Sequence, residues 1–197
     1  MQHLDMLHET PSQTAGPYVH IGCIPSFTGI NVYPQDLGRS PIKNGAKGEQ
    51  ITITGQVIDG TGWGLRDAMI ESWQADAAGL YPGQPNGDPN VTGFCRFAAD
   101  QDSGIFALNT IKPGPVSARG GGMQAPHIAI WIVARGINVG LQTRIYFEDE
   151  DNARDPLLSR IEQRPRADTL LARKTAEGAY TFNIVLQGEK ETVFLDL

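Results

Sequence analysis

The chain lacks most of the features that announce a function. It has only two cysteines, Cys23 and Cys95, in 197 residues. Two thiols so far apart make neither a disulfide framework nor the paired spacing of a structural zinc site, and they suit a reducing compartment. Charged residues are 19% of the chain and aromatic residues 8%. The net charge is −6 and no run of lysine and arginine offsets it, which excludes a phosphate-neutralising nucleic-acid surface. No apolar run approaches membrane length: the longest, 128–134, is far too short to span a bilayer. The opening residues, Met1-Gln2-His3-Leu4-Asp5, carry no basic-then-apolar leader, so cytoplasmic residence is expected. There is no glycine-rich phosphate loop, no Gly-x-Ser-x-Gly elbow, no Cys–His nucleophile pair and no two-histidine helix motif.

Turn formers are abundant instead. With 23 glycines and 13 prolines, the composition fits a turn-rich, all-β domain. Residues 1–48 read as a long, extended, irregular arm punctuated by Pro11, Pro17, Pro25, Pro34 and Pro41. Its apolar residues, among them Tyr18, Ile21, Phe27 and Val32, imply that it lies on the body or on a partner chain. From residue 49 a single β-sandwich domain is expected to run to 197. Ile51, Ile53 and Val57 alternate with polar residues, as in a half-buried strand. Further strands are predicted over 68–75, 105–108, 127–134, 143–147 and 180–186, with 127–134 central and covered on both faces. One or two short helices are expected near 156–172, broken at Pro165. The acidic run 148–151 reads as a solvated loop.

Four segments could carry chemistry. The first, ITGQVIDGTGWGLRDAMIESWQADAAGLY, is a strand, a glycine turn, a second strand and a loop ending at Tyr81. Taken alone, Tyr81 reads as a packed aromatic rather than a metal ligand. The second is TIKPGPVSARGGGMQAPHIA, in which a Pro-Gly turn leads to Val116 and a later strand opens with His127 and Ala129. Positions 127 and 129 share one face of that strand; Ala129 cannot bind a metal, and His127 reads as a satisfied core histidine rather than a ligand. The third is the arm segment ETPSQTAGPYVHIG, with Thr14, Gly16, Pro17 and Tyr18, which could be plain scaffold. The fourth is ARGINVGLQTRIYFEDE, where Arg135 and Arg144 are either structural or a source of positive potential.

Taken together these segments resemble the intradiol ring-cleavage dioxygenases over nearly the whole chain, about residues 9–197. The resemblance implies an all-β sandwich of that family's type. It also implies that Tyr81, Val116, His127 and Ala129 stand at the family's four iron-ligand positions, two of them filled here by side chains that cannot ligate. The match is to the family's iron-free alpha-type subunits. It therefore implies no metal and no catalytic residue in this chain alone, Fe(III) in a partner beta chain, and a hetero-oligomer of the two. Thr14, Gly16, Pro17, Tyr18 and Arg135 would help wall the substrate pocket shared with that partner. The implied substrates are 3,4-dihydroxybenzoate (protocatechuate) and O2. A different reading, an iron-free ligand-binding β-sandwich that has lost catalysis, leaves the arm without an evident purpose.

Overall fold

A computed structural model describes residues 13–34, 37–138 and 140–196 of the chain. Among the described residues the strands are β1 (Gln50–Gly55), β2 (Val57–Ile58), β3 (Met69–Gln74), β4 (Phe94–Ala98), β5 (Phe106–Ile111), β6 (Val116–Ser117), β7 (Met123–Gln124), β8 (His127–Val133), β9 (Leu141–Phe147), β10 (Leu171–Ala176), β11 (Ala179–Thr181) and β12 (Ile184–Val185). Eight form one hydrogen-bonded array in the order β4-β3-β8-β9-β10-β11-β1-β5. Strand β10 is the corner. Its first residues, Leu171 and Ala172, pair parallel with Tyr146 and Phe147 of β9, and the remainder pairs antiparallel with β11. The array therefore folds into two facing layers, β4-β3-β8-β9 and β11-β1-β5.

The core lies between the layers. Ile51 and Ile53 of β1, Phe106 and Leu108 of β5, and Tyr180 of β11 meet Ile70 of β3, Ile128, Ile130 and Ile132 of β8, and Ile145 and Phe147 of β9. Apolar side chains at alternate positions make this possible, because period-two geometry sends them to one face. Phe97 packs on Phe106 with ring centroids 5.8 Å apart, and Phe147 meets Tyr180 edge-on at 5.1 Å. The all-β sandwich is thus the fold.

Some local expectations change. The reading of 127–134 as covered on both faces is corrected: Ile128, Ile130 and Ile132 point into the core, but Trp131 on the outer face is 37% exposed. That outer face carries the candidate ligand positions. The arm is not extended throughout, since Pro17–Cys23 forms a short helix, α1, followed by a 3₁₀ turn at Pro25–Thr28. Pro17 sits in the first turn of α1, where a missing N–H costs nothing. Near 156–172 the helical pieces are 3₁₀ turns at Leu158–Arg160 and Arg164–Leu170. Pro165 begins the second of these instead of breaking it, and β10 starts at Leu171.

The acidic run is not a free loop. Glu148 pairs with Arg173 at 3.0 Å, and Asp149 pairs with Lys112 at 3.0 Å and Lys174 at 2.9 Å. Lys112 also reaches Glu150 at 2.6 Å and lies over the Phe147 and Tyr180 rings. The C-terminal segment is docked, with Leu195 N–H donating to Gln142 C=O at 2.8 Å and Thr143 Oγ1 to Val193 C=O at 2.8 Å.

Candidate functional site

Two places collect the candidate residues. The first is the outer face of β3, β8 and β9. Register fixes who meets whom: Trp73 lies opposite Ala129, and Ala129 lies opposite Arg144. His127 lies opposite Tyr146, with ring centroids 5.6 Å apart. Tyr81 reaches this face from the loop after β3 and stacks on Trp73 at 6.0 Å, with ring planes 3° apart. Asp76 shapes that loop: its buried carboxylate accepts the backbone N–H groups of Ala78, Leu80 and Asp88 at 2.8–2.9 Å. Gly79 adopts φ +79°, and a Cβ there would stand 1.9 Å from the Pro115 carbonyl oxygen. The loop thus packs backbone to backbone against the 113–115 turn that precedes Val116.

The structure brings Tyr81, Val116, His127 and Ala129 to one neighbourhood of this face, but as a packed cluster. Val116 and His127 are buried, at 6% and 2% exposure. Nδ1 of His127 bonds the Ala125 carbonyl at 2.8 Å. Burial, reinforced by the nearby Arg144 cation, depresses the His127 pKa to about 4, so the ring is neutral at ordinary pH. Burial likewise raises the Tyr81 phenol, against the pull of Arg144. Tyr81 and His127 are two donors; Val116 and Ala129 offer none. Among the described residues no group of three or more His, Cys, Asp and Glu side chains could hold a metal. This donor set does not fit an iron site.

Arg144, read from the sequence as either structural or a source of positive potential, lies within this cluster, and the partners around it are not read from the sequence. One Arg144 amino group donates to Gln124 Oε1 at 2.8 Å and contacts Tyr146 Oη at 3.3 Å. Tyr146 contacts Asp155 Oδ1 at 3.3 Å, and the other oxygen of that buried carboxylate accepts the Ala125 N–H at 2.8 Å. Arg144 is legible in the sequence only as a lone cation on a strand; its setting comes from Tyr146, Asp155 and Gln124, which no spacing rule joins to it.

The second place is where the arm meets the turn after β8. Oγ1 of Thr14 accepts the Gly136 N–H at 3.0 Å and contacts the Ala134 carbonyl at 3.4 Å. A cavity of about 270 Å³ next to this latch is lined by Gly16, His20, Phe27, Thr28, Asp67 and Arg135. Thr14, Gly16 and Arg135 are thereby brought together, and Pro17 and Tyr18 follow directly in α1, with Tyr18 85% exposed. Arg135 does not present a bare cation: its Nε pairs with the Asp67 carboxylate. His20 is buried at 5% exposure against Phe27, and its Nε2 has no hydrogen-bond partner among the described residues. Burial lowers the His20 pKa, while Asp67 works in the opposite sense. Asp67 and His20 escaped sequence reading because neither belongs to a motif with Arg135.

Comparison with known proteins places these features. The dioxygenase family profile matches residues 24–188. The protocatechuate 3,4-dioxygenase alpha chain of Pseudomonas putida is 46% identical, the match covering 98% of each chain. The protocatechuate 3,4-dioxygenase beta chain of Burkholderia cepacia is 34% identical over 80% of this chain and 73% of its own. Among solved structures, an intradiol ring-cleavage dioxygenase from Tetranychus urticae superimposes with a TM-score of 0.59 at 17% identity, over 78% of this chain and 88% of that one. That likeness speaks for the fold alone.

Proposed function

The chain belongs to the intradiol dioxygenase family, and from that premise we propose that it is the alpha, iron-free subunit of a protocatechuate 3,4-dioxygenase. Its partner is a beta chain of the same enzyme, which carries Fe(III). The assembled enzyme adds both atoms of O2 to 3,4-dihydroxybenzoate and cleaves the ring between the hydroxylated carbons, giving 3-carboxy-cis,cis-muconate. This subunit supplies no ligand to the metal. Its share is to wall the substrate pocket with Thr14, Gly16, Pro17, Tyr18 and Arg135 and to hold the assembly together, in the cytoplasm.

The observation that carries this reading is a pairing of loss and retention. The iron-ligand positions hold Val116 and Ala129, yet the arm segment is latched by Thr14 to the turn that bears Arg135. A drifted fold with no partner gives no reason for an exposed Tyr18 at 85% beside an ordered latch. The Asp67 pair also bears on Arg135: it fixes the guanidinium plane while leaving other N–H groups to meet a carboxylate.

The test is reconstitution with the beta chain. Tyr18→Ala is expected to lower turnover of 3,4-dihydroxybenzoate by the complex about tenfold or more, the scale of losing one well-placed substrate contact. Iron content should stay at the wild-type level. Parallel loss of iron and activity, or no loss of either, would count against a pocket-wall role.

A further inference from the structure

The vacated iron site contains a fixed positive charge. Arg144 lies directly across the sheet from Ala129, one missing-ligand position. It donates to Gln124, and Gln124 is the cross-strand partner of Val116, the other missing-ligand position. Arg144 is thus the cross-strand neighbour of one position and is hydrogen-bonded to the cross-strand neighbour of the other. Its hydrogen-bond acceptors, Gln124 Oε1 and Tyr146 Oη, are both uncharged, and its Nε is buried without a partner among the described residues. The Asp155 carboxylate, whose Oδ1 contacts Tyr146 Oη, is already engaged by the N–H groups of Ala125, Leu157 and Leu158.

We infer that Arg144 has taken the place of the metal: its guanidinium supplies the positive charge at this face and actively excludes a cation, so that the missing ligands alone do not account for the iron-free state. A cation a few ångströms from another, with low-dielectric walls and no intervening carboxylate, is strongly repelled. The inference concerns this chain's own residues and does not depend on the partner or on the proposed reaction.

The test is to restore the ligands with and without the charge. The full chain is prepared as Val116→Tyr/Ala129→His, and again with Arg144→Gln added, a change that removes the charge and keeps an amide able to bond Gln124. Each is loaded with iron salt, desalted and assayed for bound iron and for tyrosinate-to-Fe(III) charge-transfer absorbance. The ligand-restored chain with Arg144 should stay nearly iron-free and colourless. The Arg144→Gln version should hold at least about tenfold more iron, since removing a repulsive unit charge at this range changes affinity by more than that. Arg144→Lys, which keeps the charge in a different shape, should remain iron-poor, and Arg144→Met serves as the neutral replacement if the glutamine variant fails to fold by circular dichroism. Equal iron in charged and neutral versions, whether both load or neither does, would overturn the inference.

Discussion

Thr14 and Gly136 are joined across 122 positions of sequence: the threonine hydroxyl accepts the glycine N–H at 3.0 Å. That bond fastens the arm to the turn that follows β8. It places Gly16 and Arg135 on the walls of one cavity. Neither residue type is diagnostic alone. Their junction ties an irregular arm to the residues that line this cavity.

Removing that hydroxyl should be felt in the assembled enzyme. Thr14→Val keeps the size and loses both contacts of the hydroxyl, with the Gly136 N–H and the Ala134 carbonyl, together on the order of 1 kcal/mol. With the beta chain present, kcat/KM for 3,4-dihydroxybenzoate should fall about fivefold, while Thr14→Ser should stay close to wild type. Steady-state kinetics with parallel iron determination checks this. A Thr14→Val enzyme indistinguishable from wild type would show that the latch does not support the pocket.

The loop carrying Tyr81 should depend on Gly79. Its φ of +79° disfavours any side chain, and the Pro115 carbonyl leaves no space for one. Gly79→Ala should cost at least about 2 kcal/mol of stability, from left-handed strain plus the steric clash. The reading is the urea midpoint of the full chain. Gly83 also has positive φ, at +85°, but nothing lies near its Cβ position, so Gly83→Ala should cost clearly less.

Acid stability should report the Lys112–Asp149–Lys174 network. Burial works against the Asp149 carboxylate, but hydrogen bonds from Lys174, Lys112 and Tyr180 outweigh it and hold its pKa at about 2. A depressed folded-state pKa stabilises the fold above the ordinary carboxylate range, and the contribution is lost as pH falls towards 2. Wild type should therefore lose stability between about pH 4 and pH 2. Asp149→Asn should be less stable at pH 7 and show a shallower slope across that window, as followed by thermal melts. An unchanged slope would remove Asp149 from the account.

The thiols should differ in reactivity. Cys95 is buried, its Sγ lies 3.1 Å from the Arg39 carbonyl, and burial pushes its pKa up to about 12. Cys23 is only partly buried. A disulfide reagent at pH 8 should modify Cys23 first and Cys95 only in denaturant, because the thiolate is the reactive form. Mass mapping of the labelled chain decides it; rapid native labelling of Cys95 would contradict the packing.

The legible parts of this chain are those where local pattern and long-range packing agree. Ile51, Ile53 and Val57 alternate and are buried in alternation. The 180–186 stretch read as one strand but is two, β11 and β12, because Asn183 turns aside and its side chain accepts the Gln56 N–H at 3.1 Å. Strand β10 was not visible at all. Beyond Ala172 its residues are exposed, so no apolar face announces it, and it exists because both layers lend it partners. That positions 116 and 129 carry no ligating side chain could be read from single residues. Their surroundings could not, since Gln124 and Arg144 meet by a side-chain hydrogen bond between strands that are not paired. The Arg135–Asp67 pair is the same kind of fact, joining residues that no spacing rule connects.

The most direct test is metal and activity analysis of the purified full chain, with and without its beta chain. Alone, it should be colourless, free of iron and inactive on 3,4-dihydroxybenzoate even after iron loading; mixed with the beta chain, it should raise turnover without adding iron of its own. Bound ferric iron with tyrosinate charge-transfer absorbance in the chain by itself would contradict the account.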